Sequence, residues 1–157
     1  MKTVIELKQS MLSGSYAAKL SWLYGCEENS TEHYAKRYVH VLDGLNESFG
    51  SHETAAFFSA PGRTEIGGNH TDHQHGCVLA GAVNIDMIAA VAPNDLGLVR
   101  LQSEGYSAIS VDLQQLQKVD AEENTSAAIF PMVNVLPHRA AVINNANLAI
   151  VFCFIYS

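Results

Sequence analysis

Arg63, Glu65, Asn69, His70, Asp72 and His73 stand within eleven residues, interleaved with Gly62, Gly67 and Gly68. A loop needs no such mixture merely to turn. A site that grips a polyol does. Carboxylates and amides make the paired hydrogen bonds that neighbouring hydroxyls offer, and glycines let the backbone approach a ligand closely. Asp72 is the best candidate for the grip, because each of its oxygens can accept from one of two adjacent hydroxyls; the alternative is an Asx-turn acid in a glycine-rich loop. Arg63 offers a fixed, permanently charged fork suited to phosphate oxygens. It could equally pair with Glu65 or Asp72. The pattern His70-x-Asp72-His73-x-His75 permits a rival use, since imidazole and carboxylate suit zinc or a similar ion.

Elements must hold these side chains in place. Residues 4–12 mix apolar and polar positions at helical spacing, with Val4, Leu7 and Met11 on one side. Tyr16 to Tyr24 predicts a second helix stopped by Gly25. Ser30 is a candidate cap for a third, whose apolar face runs through Tyr34, Tyr38, Val41, Leu42 and Leu45 and which ends near Gly50. Ala55 to Ala60 predicts a short strand leading into the motif loop. Val78 to Ala92 predicts two strands broken near Gly81, or one long bent strand, on its β-branched content. A turn over 93–97 precedes a strand over 98–103, and 106–113 alternates well enough to be its partner. Helices, a loop and then a meander of strands predict an α+β domain.

Composition narrows the partners. The chain has 157 residues, enough for one ordinary domain, and 48% of them are hydrophobic. The formal charge is −7 without a Lys/Arg cluster, which argues against nucleic acid and anionic lipid as partners. Three scattered cysteines predict reduced thiols in a cytoplasmic protein. The polar N-terminus predicts no signal peptide, and no apolar stretch reaches the length needed to span a bilayer.

The run Pro61-Gly62-Arg63 followed by Gly68-Asn69-His70-Thr71-Asp72 resembles the first signature of the galactokinases, which belong to a superfamily with homoserine and mevalonate kinases. The likeness extends upstream through Phe49-Gly50 and Phe57-Phe58-Ser59-Ala60, and downstream to about Ala128. It implies a sugar-kinase N-terminal domain, with leading helices and a mixed, mostly antiparallel sheet. It implies ATP-dependent phosphorylation of the anomeric hydroxyl of galactose or a related hexose, with Mg2+ on the nucleotide. By the same resemblance Arg63 lies at the reacting end, Asp72 holds the O3 and O4 hydroxyls, and His70 contacts the sugar. Asn69 departs from the family, which usually has a glutamate there accepting from O6. His73 stands where a tyrosine is common, and Glu65 where an asparagine often is.

Sugar phosphorylation needs a grip on the hydroxyls, a base near the attacking oxygen, and positive charge around the transferred group. The family's second signature, a Gly/Ser-rich loop that cradles ATP phosphates at a helix N-terminus, does not occur in this sequence. Nor does a match for its catalytic aspartate. The expectation is half of a kinase site, inactive alone. A non-catalytic sugar-binding or sensor module is the alternative, and a small metal-binding protein a third reading. All 16 acidic residues lie at or before Glu123, and Arg139 alone carries full charge after it. The end of the chain, 148–156, is an unbroken apolar run, either a buried strand or an aggregation-prone segment. The chain is thus expected to divide into a truncated galactokinase-like unit, 1–128, and a tail, 129–157, arising from a reading-frame change or a broken gene and lacking partner strands.

Overall fold

The computed structural model describes residues 1–68 and 75–112, and the backbone of 150–155. Its elements run β1 (Lys2–Thr3), α1 (Val4–Leu12), α2 (Ala17–Tyr24), a 3-10 turn (Glu28–Ser30), α3 (Glu32–Phe49), β2 (Thr54–Gly67), β3 (Leu79–Ala92), β4 (Leu98–Ser103), β5 (Ile109–Asp112) and β6 (Ile150–Ile155). The strands form one sheet in the order β1-β2-β3-β6-β4-β5. Every pairing is antiparallel except β4 with β6. This is the expected α+β architecture, with leading helices and a mixed, mostly antiparallel sheet.

Local chemistry explains the leading helices. Thr3 and Glu6 form a capping box at the start of α1: the Glu6 amide donates to Thr3 Oγ1 at 3.2 Å and the Thr3 amide donates to Glu6 Oε2 at 3.0 Å. Gly25 ends α2 at φ 64°, a left-handed turn that favours glycine. Helix α3 begins one residue later than a Ser30 cap would place it. Ser30 lies in the 3-10 turn, and Thr31 Oγ1 donates back to the Glu28 carbonyl at 2.8 Å instead of capping the helix. Leu7 and Met11 of α1 meet Tyr38, Val41, Leu42 and Leu45 of α3 in one core, which continues onto Ile88, Ala90 and Ala92 of β3. Those three alternate residues define the helix-covered face of the sheet. Phe58, Ile85 and Met87 fall on the other face and are exposed.

Three features correct or decide the expectations. First, β2 continues through Pro61-Gly62-Arg63 to Gly67 rather than giving way to a loop at Ala60. Proline is tolerated there because its position lies on the outer strand of the β2–β3 pair; among the described residues β1 pairs only with Thr54 and Ala55. Second, of the two alternatives for 78–92 the structure takes the single strand, Leu79–Ala92, with register shifts against β2 on both sides of Gly81. Third, Ile150–Ile155 does not lack partners: β6 lies between β3 and β4, opposing Met87–Ala92 on one side and Arg100–Ser103 on the other.

Candidate functional site

The motif straddles the β2–β3 pair. Its first half lies in β2, and its second half falls in the sequence between Gly67 and Leu79. A bulge divides the pair in the middle. Pro61 opposes Asp86, but two residues on Arg63 opposes Ala82, so Gly62 alone faces the three residues 83–85. Bulges twist a strand locally and re-aim its side chains. Gly62 is tightly packed: a Cβ there would lie 3.0 Å from Val83 Cγ2 and 3.2 Å from the Ile85 carbonyl oxygen, so a larger residue needs its neighbours to shift.

Arg63 follows directly and its side chain is 59% exposed. Its Nη2 lies 3.6 Å from Glu65 Oε1, so the alternative pairing with Glu65 is present. Such a solvated pair is worth little and leaves the fork able to meet an anion. Gly68 closes the base of the loop at φ 104°, where a Cβ would sit 2.7 Å from Val78 Cα and collide with the Cys77 carbonyl oxygen. Gly68→Ala is therefore expected to cost at least about 1–3 kcal/mol through backbone strain alone. Thermal or urea unfolding beside Gly67→Ala, whose Cβ would meet nothing, checks this.

Asn69, His70 and Asp72, the three proposed sugar contacts, lie outside the described residues, as does His73. Of the rival ligand set only His75 is described; it is exposed, at φ 63°. Among the described residues no group of three or more His, Cys, Asp or Glu could hold a metal. No helix among them is long and apolar enough to cross a membrane.

A second cluster lies under the bulge on the helix-covered face, and sequence reasoning overlooked it. Asp86 is 5% exposed. Its Oδ2 accepts from Tyr24 Oη and from Ser59 Oγ, each at 2.6 Å, and its Oδ1 accepts from Arg37 Nη2 at 2.8 Å. Tyr24 and Tyr38 hydroxyls meet at 3.1 Å, and the Tyr24 ring stacks on Tyr34 with centroids 3.8 Å apart. Five residues from α2, α3, β2 and β3 thus share one buried polar network. The available signal was an acid inside an apolar, β-branched strand, since a carboxylate there must find partners.

The electrostatics follow from burial and bonding. Burial by itself would raise the Asp86 pKa. The hydrogen bonds from Ser59, Tyr24 and Arg37, with the Arg37 charge, outweigh it and hold the carboxyl below its usual range. Burial raises the Tyr24 phenol, and its bond to Asp86 raises it further. A depressed carboxyl stabilises the fold above its unfolded value, near pH 3.9, and loses that contribution as pH falls through the folded value. A raised phenol stabilises the fold fully below about pH 10 and loses its contribution above it. Stability is therefore expected to be level in these two groups from about pH 5 to 9 and to fall at both extremes. Urea titrations across pH check this, and Tyr24→Phe should flatten the alkaline limb.

Comparison with known proteins bears directly on the β2–β3 motif. Residues 45–93, from the end of α3 through β3, match the galactokinase galactose-binding signature. The chain is similar to the N-terminal part of galactokinases. The galactokinase of Bacillus subtilis is 34% identical over 91 residues, covering 57% of this chain and 23% of that protein. The galactokinase of Candida parapsilosis is 26% identical over 100 residues, 62% of this chain and 20% of that protein. That of Streptomyces coelicolor is 37% identical over 74 residues, covering 47% and 19%. The chain thus spans about a fifth of the curated galactokinases it matches. In fold it resembles Lactococcus lactis galactokinase, whose structure was solved with galactose, at a TM-score of 0.60 and 24% identity over 72% of this chain and 29% of that one. The galactokinase-like signature includes Ser59, Arg63 and Asp86, while Tyr24 and Arg37 lie outside it.

Proposed function

We propose that this chain forms the sugar-gripping part of a galactokinase-type site. The observation that carries this reading is the galactose-binding signature over 45–93, laid across a bulged strand pair with Arg63 at the bulge. In this reading Asp72 accepts from two adjacent sugar hydroxyls, His70 and Asn69 hydrogen-bond the ring substituents, and Arg63 faces the reacting end. In this reading the likeness to galactokinases covers 1–128, and 129–157 does not match the family although 150–155 pairs within the same sheet. The whole reaction would be ATP-dependent phosphorylation at the anomeric hydroxyl, with Mg2+ on the nucleotide, in the cytoplasm.

The residues present suit the sugar better than the nucleotide. Arg63 could meet a phosphate oxygen, but the sequence holds no Gly/Ser-rich phosphate cradle and no matching base. The same observation favours a second reading, a non-catalytic sugar-binding or sensor module. Galactose-dependent ADP formation by the purified chain tests what the two readings share, because neither a half-site nor a non-catalytic module should turn over. The half-site reading expects none, because positioning and charge stabilisation both require parts outside this sequence. Steady turnover from protein free of host kinase would sink it.

Position 69 offers a finer test. Asn69→Glu replaces a neutral acceptor with a charged one, worth about 1 kcal/mol more in a hydrogen bond to O6. The preference for galactose over its 6-deoxy analogue is expected to rise by roughly fivefold. An unchanged ratio, by calorimetry, removes O6 from the site.

A further inference from the structure

The buried carboxylate of Asp86 sits where the β2–β3 register breaks. Pro61 and Asp86 are the last opposed pair before the bulge, and Arg63 and Ala82 the first beyond it. Ser59, two residues before Pro61, donates to Asp86 across the strands at 2.6 Å. The same carboxylate is held from above by Tyr24 of α2 at 2.6 Å and by Arg37 of α3 at 2.8 Å. The Arg37 guanidinium also reaches toward the Asp86 carbonyl oxygen, 3.4 Å away, so it binds the backbone of β3 as well as the side chain.

An apolar residue at position 86 would fill the space but could not select a register. Alternation would seat an apolar side chain equally well after a two-residue slip, because side chains repeat on one face every second position. A carboxylate meeting three fixed donors fits one register only. The slip would leave the acid and its donors buried without one another, which is costly. Gly62 shows how narrow the bulge is, since the neighbouring Val83 and Ile85 leave no room for a Cβ without adjustment.

From this juxtaposition we infer that Asp86 is a positioning residue for Arg63: clamped by Ser59, Tyr24 and Arg37, it fixes the bulge that sets the direction of the Arg63 side chain. The leading helices thereby become working parts of the motif although Tyr24 and Arg37 lie outside the signature match at 45–93. The consequence for sugar affinity rests on the proposed galactose grip. The clamp itself does not.

The test uses the full 157-residue chain and two readouts. Ser59→Ala removes one donor and leaves the Arg37–Asp86 pair in place, so the variant is expected to fold. Leu45→Val, in the core of α3 with a side chain that makes no hydrogen bond to the network, serves as a control for lost stability. Amide hydrogen exchange at Gly62, Arg63 and Thr64 is expected to quicken about tenfold in Ser59→Ala, and less than twofold in the control once global stability is matched. Asp86→Asn, if folded, should do the same more strongly. Galactose titration is the second readout, with Ser59→Ala expected to weaken binding about fivefold at unchanged stoichiometry. Faster exchange without any change in galactose affinity upholds the clamp and counts against the sugar reading. Exchange no faster at 62–64 than in the control overturns the clamp, whatever the sugar does.

Discussion

Asp86→Ala will destabilise the chain by about 3–5 kcal/mol, the largest effect expected of a single substitution. The substitution removes the carboxylate that Arg37 pairs with inside the fold, where the two side chains are 3% and 11% exposed. It also strips Tyr24 and Ser59 of their acceptor. The internal comparison is Asp43→Ala. Asp43 pairs with Lys8 at 2.6 Å, a shorter contact than the one between Arg37 and Asp86, but both side chains are about 40% exposed (42% for Lys8 and 40% for Asp43). Solvent screening should hold that loss to about 1 kcal/mol or less. Urea denaturation of the two variants checks the ordering. Equal losses would mean that distance rather than burial governs these pairs, and would overturn the ordering.

Asp72→Ala will weaken galactose binding by about 1.5–3 kcal/mol, roughly ten- to a hundredfold. A sugar hydroxyl that gives up water for a charged acceptor loses both when the acceptor is removed. His33→Ala is the control. His33 lies in the first turn of α3 and meets the Tyr34 ring edge-on with centroids 5.4 Å apart. Its loss should leave affinity unchanged. Equal galactose affinity in the two variants, by calorimetry, would refute the role assigned to Asp72.

Much of the scaffold was legible in the sequence because it obeys one local rule at a time. Val4, Leu7 and Met11 mark the buried side of α1, and Gly25 ends α2 as its φ demands. The five apolar positions of α3 read from 34 to 45 face the core as spaced, with Tyr34 at its margin. Where two rules competed, the sequence misled. Pro61 and Gly62 looked like punctuation for a loop, yet an outer strand tolerates the proline and the bulge leaves little room for a side chain at the glycine. Ser30 looked like a helix cap, but the 3-10 turn takes it and shifts the start of α3. The run 150–155 seemed to lack neighbours because partners distant in sequence cannot be read from local pattern.

The site was legible in type but not in arrangement. The mixture around Arg63 and Asp72 announced a polar ligand, and the galactose-binding signature over 45–93 agrees with that chemistry. Asp86 went unnoticed because its meaning lies in Tyr24 and Arg37, 62 and 49 residues away. A lone acid in an apolar strand is a signal only when one asks what must neutralise it.

The most direct test of the central claim is calorimetric titration of the full 157-residue chain with galactose in the absence of nucleotide. A sugar grip predicts saturable binding at one site, with glucose, the 4-epimer, bound more weakly because in the proposed grip Asp72 accepts from the O4 hydroxyl. A chain that unfolds cooperatively, and so is folded, yet gives no galactose-dependent heat at several temperatures would contradict it.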